Sequence, residues 1–245
     1  MSATPVKIFI GTATTNGVVA SDHVGALVRM ATRLEARGIG TVYRTVDGPS
    51  LFVQRDMLAH TFLESDCTHL LLVDGDVVFD PGLAETLLGF RKRLVGTVTP
   101  RRAPDLARVK AAGAAHGVDG ALALACDWNV RLLGNTVTVR DGLCQVEAFG
   151  LGFALIEREC LVEMTARLDP PRYRAYHADM HLRAFFREVP TETGVIADQD
   201  HTFCRRWIAC GGEVHTYPAA PVRRIGDFAF GVPFAAYLAA LGPAR

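Results

Sequence analysis

Short apolar runs alternate with stretches of helical period along the first hundred residues, an arrangement that implies parallel strands joined by helical crossovers. Residues 7–12 (KIFIGT) predict a first strand and residues 41–46 a second. Between them Val24, Leu27, Val28, Ala31 and Leu34 fall on one face of a helix that starts near Asp22, is capped by Ser21 and stops at Gly38. Ser50 caps a further helix running to about Glu64. The continuous apolar run HLLLV, residues 69–73, reads as a central strand buried on both faces, and it ends at Asp74-Gly75-Asp76. Asp80-Pro81 then supplies a capping carboxylate and a proline at the first helical position for a helix through about Phe90, and residues 94–98 return to the sheet.

Beyond Pro100 the pattern changes. Residues 100–115 are rich in Arg, Ala and Pro and mark a boundary between two halves. Alternating stretches at 121–126, 136–139 and 143–149 predict antiparallel strands, and residues 158–168 predict a helix. Residues 169–193 carry Pro170-Pro171 and mixed aromatics without a period, as a loop or lid would. Residues 198–209 predict a helix stopped by Gly211-Gly212.

Composition narrows the class without changing this layout. A chain of 245 residues that is 49% hydrophobic buries a large core, so a single domain, or one with a small appendage, is expected. With 26 basic and 26 acidic residues there is no long-range field to gather nucleic acid or an anionic membrane, and local clusters matter more than the total. The first residues lack the pattern of a secretory signal, and no apolar run approaches the roughly 18 residues of a membrane helix, so a cytosolic protein without a transmembrane segment is expected. Six cysteines spread without a Cys-X-X-Cys pair fit reduced buried thiols, and His201 with Cys204, one helical turn apart, lacks the second pair that structural zinc needs.

The chemistry concentrates at Asp74-Gly75-Asp76. In an open parallel sheet ligands bind beyond the carboxyl ends of the strands, where this acidic pair falls. The glycine lets backbone approach a ligand closely, while one carboxylate faces a sugar or ribose hydroxyl and the other a divalent ion bridging phosphates. Asp and Gly are also turn residues. Their position directly after a buried strand is what favours the ligand-binding interpretation.

The run Arg55-Asp56-Met57-Leu58-Ala59-His60, then Phe62-Leu63, then Thr68-His69-Leu70-Leu71-Leu72-Val73-Asp74-Gly75-Asp76-Val77 resembles the donor-binding half of GT-A glycosyltransferases, particularly the bacterial and phage family-2-like branch. Gly150-Leu151-Gly152-Phe153-Ala154-Leu155-Ile156 is similar to the glycine-rich strand on the acceptor side. Asp198-Gln199-Asp200-His201-Thr202-Phe203-Cys204-Arg205-Arg206, with Gly211-Gly212, is similar to the acidic segment and helix that follow. The resemblance implies one α/β domain over residues 1–245, a GT-A type Rossmann-like mixed sheet flanked by helices with antiparallel acceptor-side strands. Residues 1–100 would form the donor-binding half, and residues 101–245 the acceptor-binding half with a C-terminal tail. It implies sugar transfer from a nucleoside-diphosphate sugar to a hydroxyl of a glycan, a small molecule or a protein.

By the same resemblance Thr12, Asp47, Arg55, Asp74, Gly75, Asp76 and Arg224 belong to the donor site. Asp74 and Asp76 match the Asp-X-Asp motif, with Asp76 foremost as ligand to Mn²⁺ or Mg²⁺. Asp200 matches the general base, and Gly150, Gly152 and Gln199 fall on the acceptor side; Glu147, placed just before those glycines, is a candidate to bind acceptor sugar hydroxyls or an ordinary outward-facing strand residue. Two positions depart from the pattern. Gln199 stands where Glu is common, and Arg224-Ile225-Gly226 stands where a late His-X-Gly supplies a metal ligand. A guanidinium cannot ligate a cation but binds a diphosphate bidentately, so Arg224 substitutes for part of the metal's charge, or His215 or His201 is recruited instead. Trp128 is a candidate to stack on a sugar or to pack. Arg101 and Arg102 are candidates for phosphate or acceptor contact or for a solvated loop, and Trp207 is a core residue at helical spacing. Two other functions compete. A nucleotidyltransferase places a basic glycine-rich loop after its first strand, whereas residues 11–17 hold no Lys or Arg; a non-catalytic carbohydrate- or nucleotide-binding protein would share the fold without the chemistry.

Overall fold

The computed structural model describes residues 5–241 apart from 15, 101–104, 135–136, 176–179, 189, 191–193, 195, 226–228 and 231. The first half runs β1 (Lys7–Thr14), α1 (Ser21–Glu35), β2 (Gly40–Asp47), α2 (Leu51–Glu64), β3 (His69–Val73), β4 (Val77–Val78), α3 (Leu83–Gly89) and β5 (Leu94–Gly96). There follow α4 (Leu106–Ala125), β6 (Val130–Leu132), β7 (Val139–Arg140), β8 (Leu143–Phe149), β9 (Phe153–Glu157) and α5 (Arg158–Leu168). The chain continues through β10 (Arg172–Arg174), β11 (His181–Arg183), α6 (Gln199–Ala209), β12 (Val214–Thr216), β13 (Arg223–Ile225), β14 (Ala229–Phe230) and α7 (Phe234–Ala240).

A nine-stranded mixed sheet in the order β2-β1-β3-β9-β5-β12-β8-β6, with β7 paired to β8, organises the protein. β1 runs parallel to β2 and β3, and β9 is antiparallel to both β3 and β5. This is the Rossmann-like mixed sheet flanked by helices that the GT-A resemblance implies. Because β9 lies between β3 and β5, the two halves of the chain interleave in one sheet.

Strand alternation sorts the core into two layers. Phe9, Leu70, Leu72 and Leu94 pack with Leu58 and Phe62 of α2, Leu161 and Met164 of α5, and Phe203 and Trp207 of α6. Ile8, Ile10, Leu71, Val73 and Val95 point the other way, onto Leu27, Met30 and Leu34 of α1 and Leu83 and Leu87 of α3. Each such side chain taken from water contributes about 1.5–3 kcal/mol. Leu70 to Val73 of HLLLV are thus buried on both faces, as the sequence demands, with His69 half-buried at the start.

Several elements differ from the sequence pattern for identifiable reasons. α1 buries His23, Ala26, Leu27, Met30 and Leu34, while Val24 and Val28 are 40% and 58% exposed, so the core stripe is displaced from the valine-bearing face. α3 begins at Leu83, because Asp80 accepts from the Gly82 N–H at 2.7 Å and its turn precedes the helix. Residues 121–126 end a helix and do not form a strand. Asp105 caps α4 through the Ala107 and Arg108 N–H groups at 2.9 and 3.3 Å, and Ala and Leu, the strongest helix formers, carry it past a kink at Gly117. The C-terminal α7 packs its Phe234 and Tyr237 rings 5.0 and 5.9 Å from Trp128, which settles Trp128 in an aromatic cluster.

The aperiodic stretch after α5 contains the β10–β11 hairpin, fastened to α2 by one buried carboxylate. Asp56 accepts from the Tyr173 hydroxyl at 2.8 Å and from the Phe186 N–H at 3.0 Å. Burial pushes Asp56 up to about 7 despite these bonds. Because the folded value lies above the unfolded one, its contribution to stability is complete below about pH 4 and is lost as pH rises through about 7. Asp56→Asn is therefore expected to gain on the wild type by up to about 1.4 kcal/mol per pH unit within that window. Urea unfolding at pH 5, 6, 7 and 8 measures the difference, and parallel curves for the two proteins would refute it.

Candidate functional site

β3 delivers Asp74-Gly75-Asp76 to the end of the sheet where β1 and β5 also terminate. The segment is a turn as well as a strand tip, since the Val77 N–H donates to the Asp74 carbonyl at 3.0 Å. Three neighbours hold it. The Ala20 N–H at the start of α1 donates to the Gly75 carbonyl at 3.0 Å, the Ile225 N–H donates to the Asp76 carbonyl at 2.8 Å, and His23 Nδ1 lies 2.9 Å from the Val77 carbonyl. His23 is wholly buried, and that burial lowers its basicity, so a neutral imidazole donating from Nδ1 suits this contact.

Arg224 reaches this turn because β13 pairs antiparallel with β4, setting Arg224 opposite Val77. Its Nη2 donates to Asp74 Oδ2 at 2.7 Å, and its Nε lies 3.7 Å from Asp76 Oδ1. Asp74 Oδ1 accepts at 3.0 Å from Nη2 of Arg55, a residue of α2 that is only 1% exposed. Arg55 Nη1 in turn pairs with Asp200 Oδ1 in the first turn of α6. Five charges of alternating sign therefore run Asp200, Arg55, Asp74, Arg224, Asp76. Burial pushes the Asp74 carboxyl up, but the Arg55 and Arg224 charges outweigh it and hold the group below the usual carboxylate range.

Gly152 makes the crowding possible. A Cβ there would lie 2.8 Å from Asp74 Oδ2 and 3.0 Å from Arg224 Nη2, and the Gly152 carbonyl accepts from the Asp74 N–H at 2.9 Å. Gly150 has the same need, with a Cβ only 2.6 Å from Asn129 Nδ2. Asn129, a residue the sequence did not single out, donates to Asp200 Oδ2 at 3.4 Å, and its carbonyl accepts from the Gly150 N–H at 2.7 Å. An isolated Asn after a Trp carries no sequence signal, although the glycine that accommodates it does.

Other predicted residues scatter in an informative way. Thr12 is buried beside Gly75 with its hydroxyl unpaired, and Asp47 is exposed at the carboxyl end of edge strand β2, level with Thr14. Gln199 opens α6, which Asp198 caps through the His201 N–H at 2.9 Å. Glu147 faces away from α6, because its neighbours Val146 and Ala148 fill the α6 layer, and it pairs with Arg131 at 3.6 Å. His215 sits three strands from β3, level with Leu71, and lines a separate cavity of about 640 Å³ with Phe90, Lys92, Arg140 and Gln145. It is not a partner of the acidic pair. Trp207 is 2% exposed in the core, and Arg101, Arg102 and Gly226 lie outside the described residues.

As arranged, the acidic pair does not fit a divalent ion. Asp74 commits both oxygens to guanidinium groups, which bring permanent positive charge to the place a cation would take. No group of three His, Cys, Asp or Glu side chains suited to a metal occurs among the described residues. Nor is any described helix long and apolar enough to cross a membrane.

No protein-family model matches this chain, and no curated protein does. Among solved structures, A197 from STIV is 16% identical over 91% of this chain and 87% of that one, with a TM-score of 0.47. UDP-glucose pyrophosphorylase complexed with UDP-glucose is 7% identical over 97% of this chain and 95% of that one, with a TM-score of 0.44. At TM-scores under 0.5 neither likeness bears on what the site does.

Proposed function

We propose that this chain transfers a hexosyl group from a nucleoside-diphosphate donor to a hydroxyl of a glycan, a small molecule or a protein. The observation that carries this is the charge ladder at the carboxyl tip of an interior strand, ending in Arg224 and Asp76, whose side chains are 14% and 29% exposed. That position is where open α/β sheets bind ligands. Arg224 takes the diphosphate, whose oxygens match a guanidinium fork, and Asp76 takes a sugar or ribose hydroxyl. Asp74 seats Arg224, and Thr12, Asp47 and Gly75 are assigned to the same donor site.

The acceptor oxygen bonds to the anomeric carbon as its proton passes to Asp200 Oδ2. The bond from that carbon to the diphosphate breaks, with its electron pair leaving on phosphate oxygen. Arg224 is charged before the reaction begins, so it stabilises the growing negative charge without reorganising. Mn²⁺ or Mg²⁺, expected from the resemblance, has no assigned step, since Asp74 offers it no open oxygen. Gly150, Gly152 and Gln199 border the acceptor side.

Thermal unfolding with UDP, GDP and ADP and their glucose or mannose conjugates tests the assignment. A ligand at a hundred times its Kd stabilises the folded state by about 2.7 kcal/mol, a readily measured rise in Tm. One nucleotide of the panel is expected to raise the Tm of the wild type and to lose that effect in Arg224→Met. No shift with any nucleotide, or an equal shift in the variant, would sink the proposal.

A further inference from the structure

Arg55 spends both terminal nitrogens on protein carboxylates, Nη2 on Asp74 Oδ1 at 3.0 Å and Nη1 on Asp200 Oδ1, and it is 1% exposed. A guanidinium so enclosed is tolerated only where its partners stay charged and hydrogen-bonded. It joins residues 19 apart on one side to a partner 145 positions later on the other, tying the strand tip that seats Arg224 to the first turn of α6. No other cation in a described contact touches both carboxylates.

Resting on the function proposed above, we infer that Arg55 is the positioning residue of the transfer and meets no substrate itself. It occupies Asp200 Oδ1, which leaves Oδ2 as the oxygen that receives the acceptor proton. Among the described residues Oδ2 is held by Asn129 Nδ2 alone, at 3.4 Å, a long contact that an incoming hydroxyl displaces. Arg55 also sets the charge count. Without it Asp200 loses its guanidinium and Asp74 keeps only Arg224 of the two that hold it, just where an anionic diphosphate must arrive. Removing Arg55 therefore makes Asp200 easier to protonate and turns its carboxylate loose.

The test uses the full chain with Arg55→Lys and Arg55→Met. Release of UDP, GDP or ADP from UDP-glucose, GDP-mannose and ADP-glucose is followed with water as acceptor, after circular dichroism has shown the variants folded. Lysine keeps the charge but as a point donor cannot hold two carboxylates in one plane. Arg55→Lys is expected to lower kcat about 100-fold, with donor KM changed less than about tenfold. In Arg55→Met the acidic limb of the kcat profile should also move about one unit to higher pH. A drop in kcat with the limb unmoved in both variants would reduce Arg55 to a structural strut, and wild-type rates in both would remove it altogether. If Arg55→Met does not fold, the kcat against KM split of Arg55→Lys decides alone. Absence of nucleotide release by the wild type from every donor overturns the transferase function together with this role, whereas release by the wild type with unaffected variants overturns the role only.

Discussion

Asp200→Asn is expected to reduce sugar transfer roughly 10²–10⁴-fold, the contribution of a positioned general base. Donor affinity should stay within about twofold. The substitution is conservative where the structure needs it to be, because an asparagine oxygen still accepts from Arg55 Nη1 and the Asp198 cap of α6 is untouched. What disappears is the capacity to take a proton at Oδ2. Asp200 is 4% exposed and approached by Asn129, so no bulk base stands ready to substitute for it. Calorimetric donor titration beside an initial-rate assay separates binding from chemistry. Equal turnover by the two proteins would take Asp200 out of the base role, and a parallel loss of donor affinity would make its effect structural.

Arg224→Met is the second large effect, with nucleoside-diphosphate affinity expected to fall on the order of 100-fold. Two losses combine there. The diphosphate forfeits its cation, and Asp74 keeps a carboxylate whose Oδ2 no longer has its partner at 2.7 Å, so negative charge faces negative charge. Arg224→His discriminates further. If Arg224 supplies the charge that a metal supplies elsewhere, wild-type affinity is indifferent to chelator, while the histidine variant recovers part of its loss on addition of Mn²⁺ or Mg²⁺. Titration calorimetry with and without the ion is the measurement. A wild type that loses diphosphate binding in chelator would return the role to a metal.

The parts of this molecule legible in advance were those that short-range physics decides. HLLLV carries four consecutive apolar residues, Leu70 to Val73, which suit an interior strand, and residues 143–149 and 158–168 have the strand and helix that their periods predict. Ala121 to Ala125 was ambiguous because alternation of Ala with Leu satisfies a strand period and a helix propensity at once. The capped start at Asp105, sixteen residues earlier, resolved it. The valines of α1 misled for a related reason, since a helix has more apolar positions than its neighbours can cover and which face is covered depends on where β1, β3 and α3 lie.

Within the candidate site, residue types were readable and partnerships were not. Asp74, Asp76, Arg55, Asp200, Gly152 and Arg224 each stood out in the sequence by kind and by local position. That Arg55 turns inward to join Asp74 and Asp200 depends on α2 and α6 packing on the same face of the sheet, and no local pattern encodes that. Asn129 was invisible because its significance is the 2.6 Å space left by Gly150, a property of two segments twenty-one residues apart. The sequence by itself determined the layered α/β scheme and put an acidic pair at a strand tip, because burial and turn chemistry act between near neighbours. Only the tertiary structure decided that two arginines, from α2 and from β13, close on that pair and claim both oxygens of Asp74, because long-range pairing such as β13 with β4 sets which charges meet.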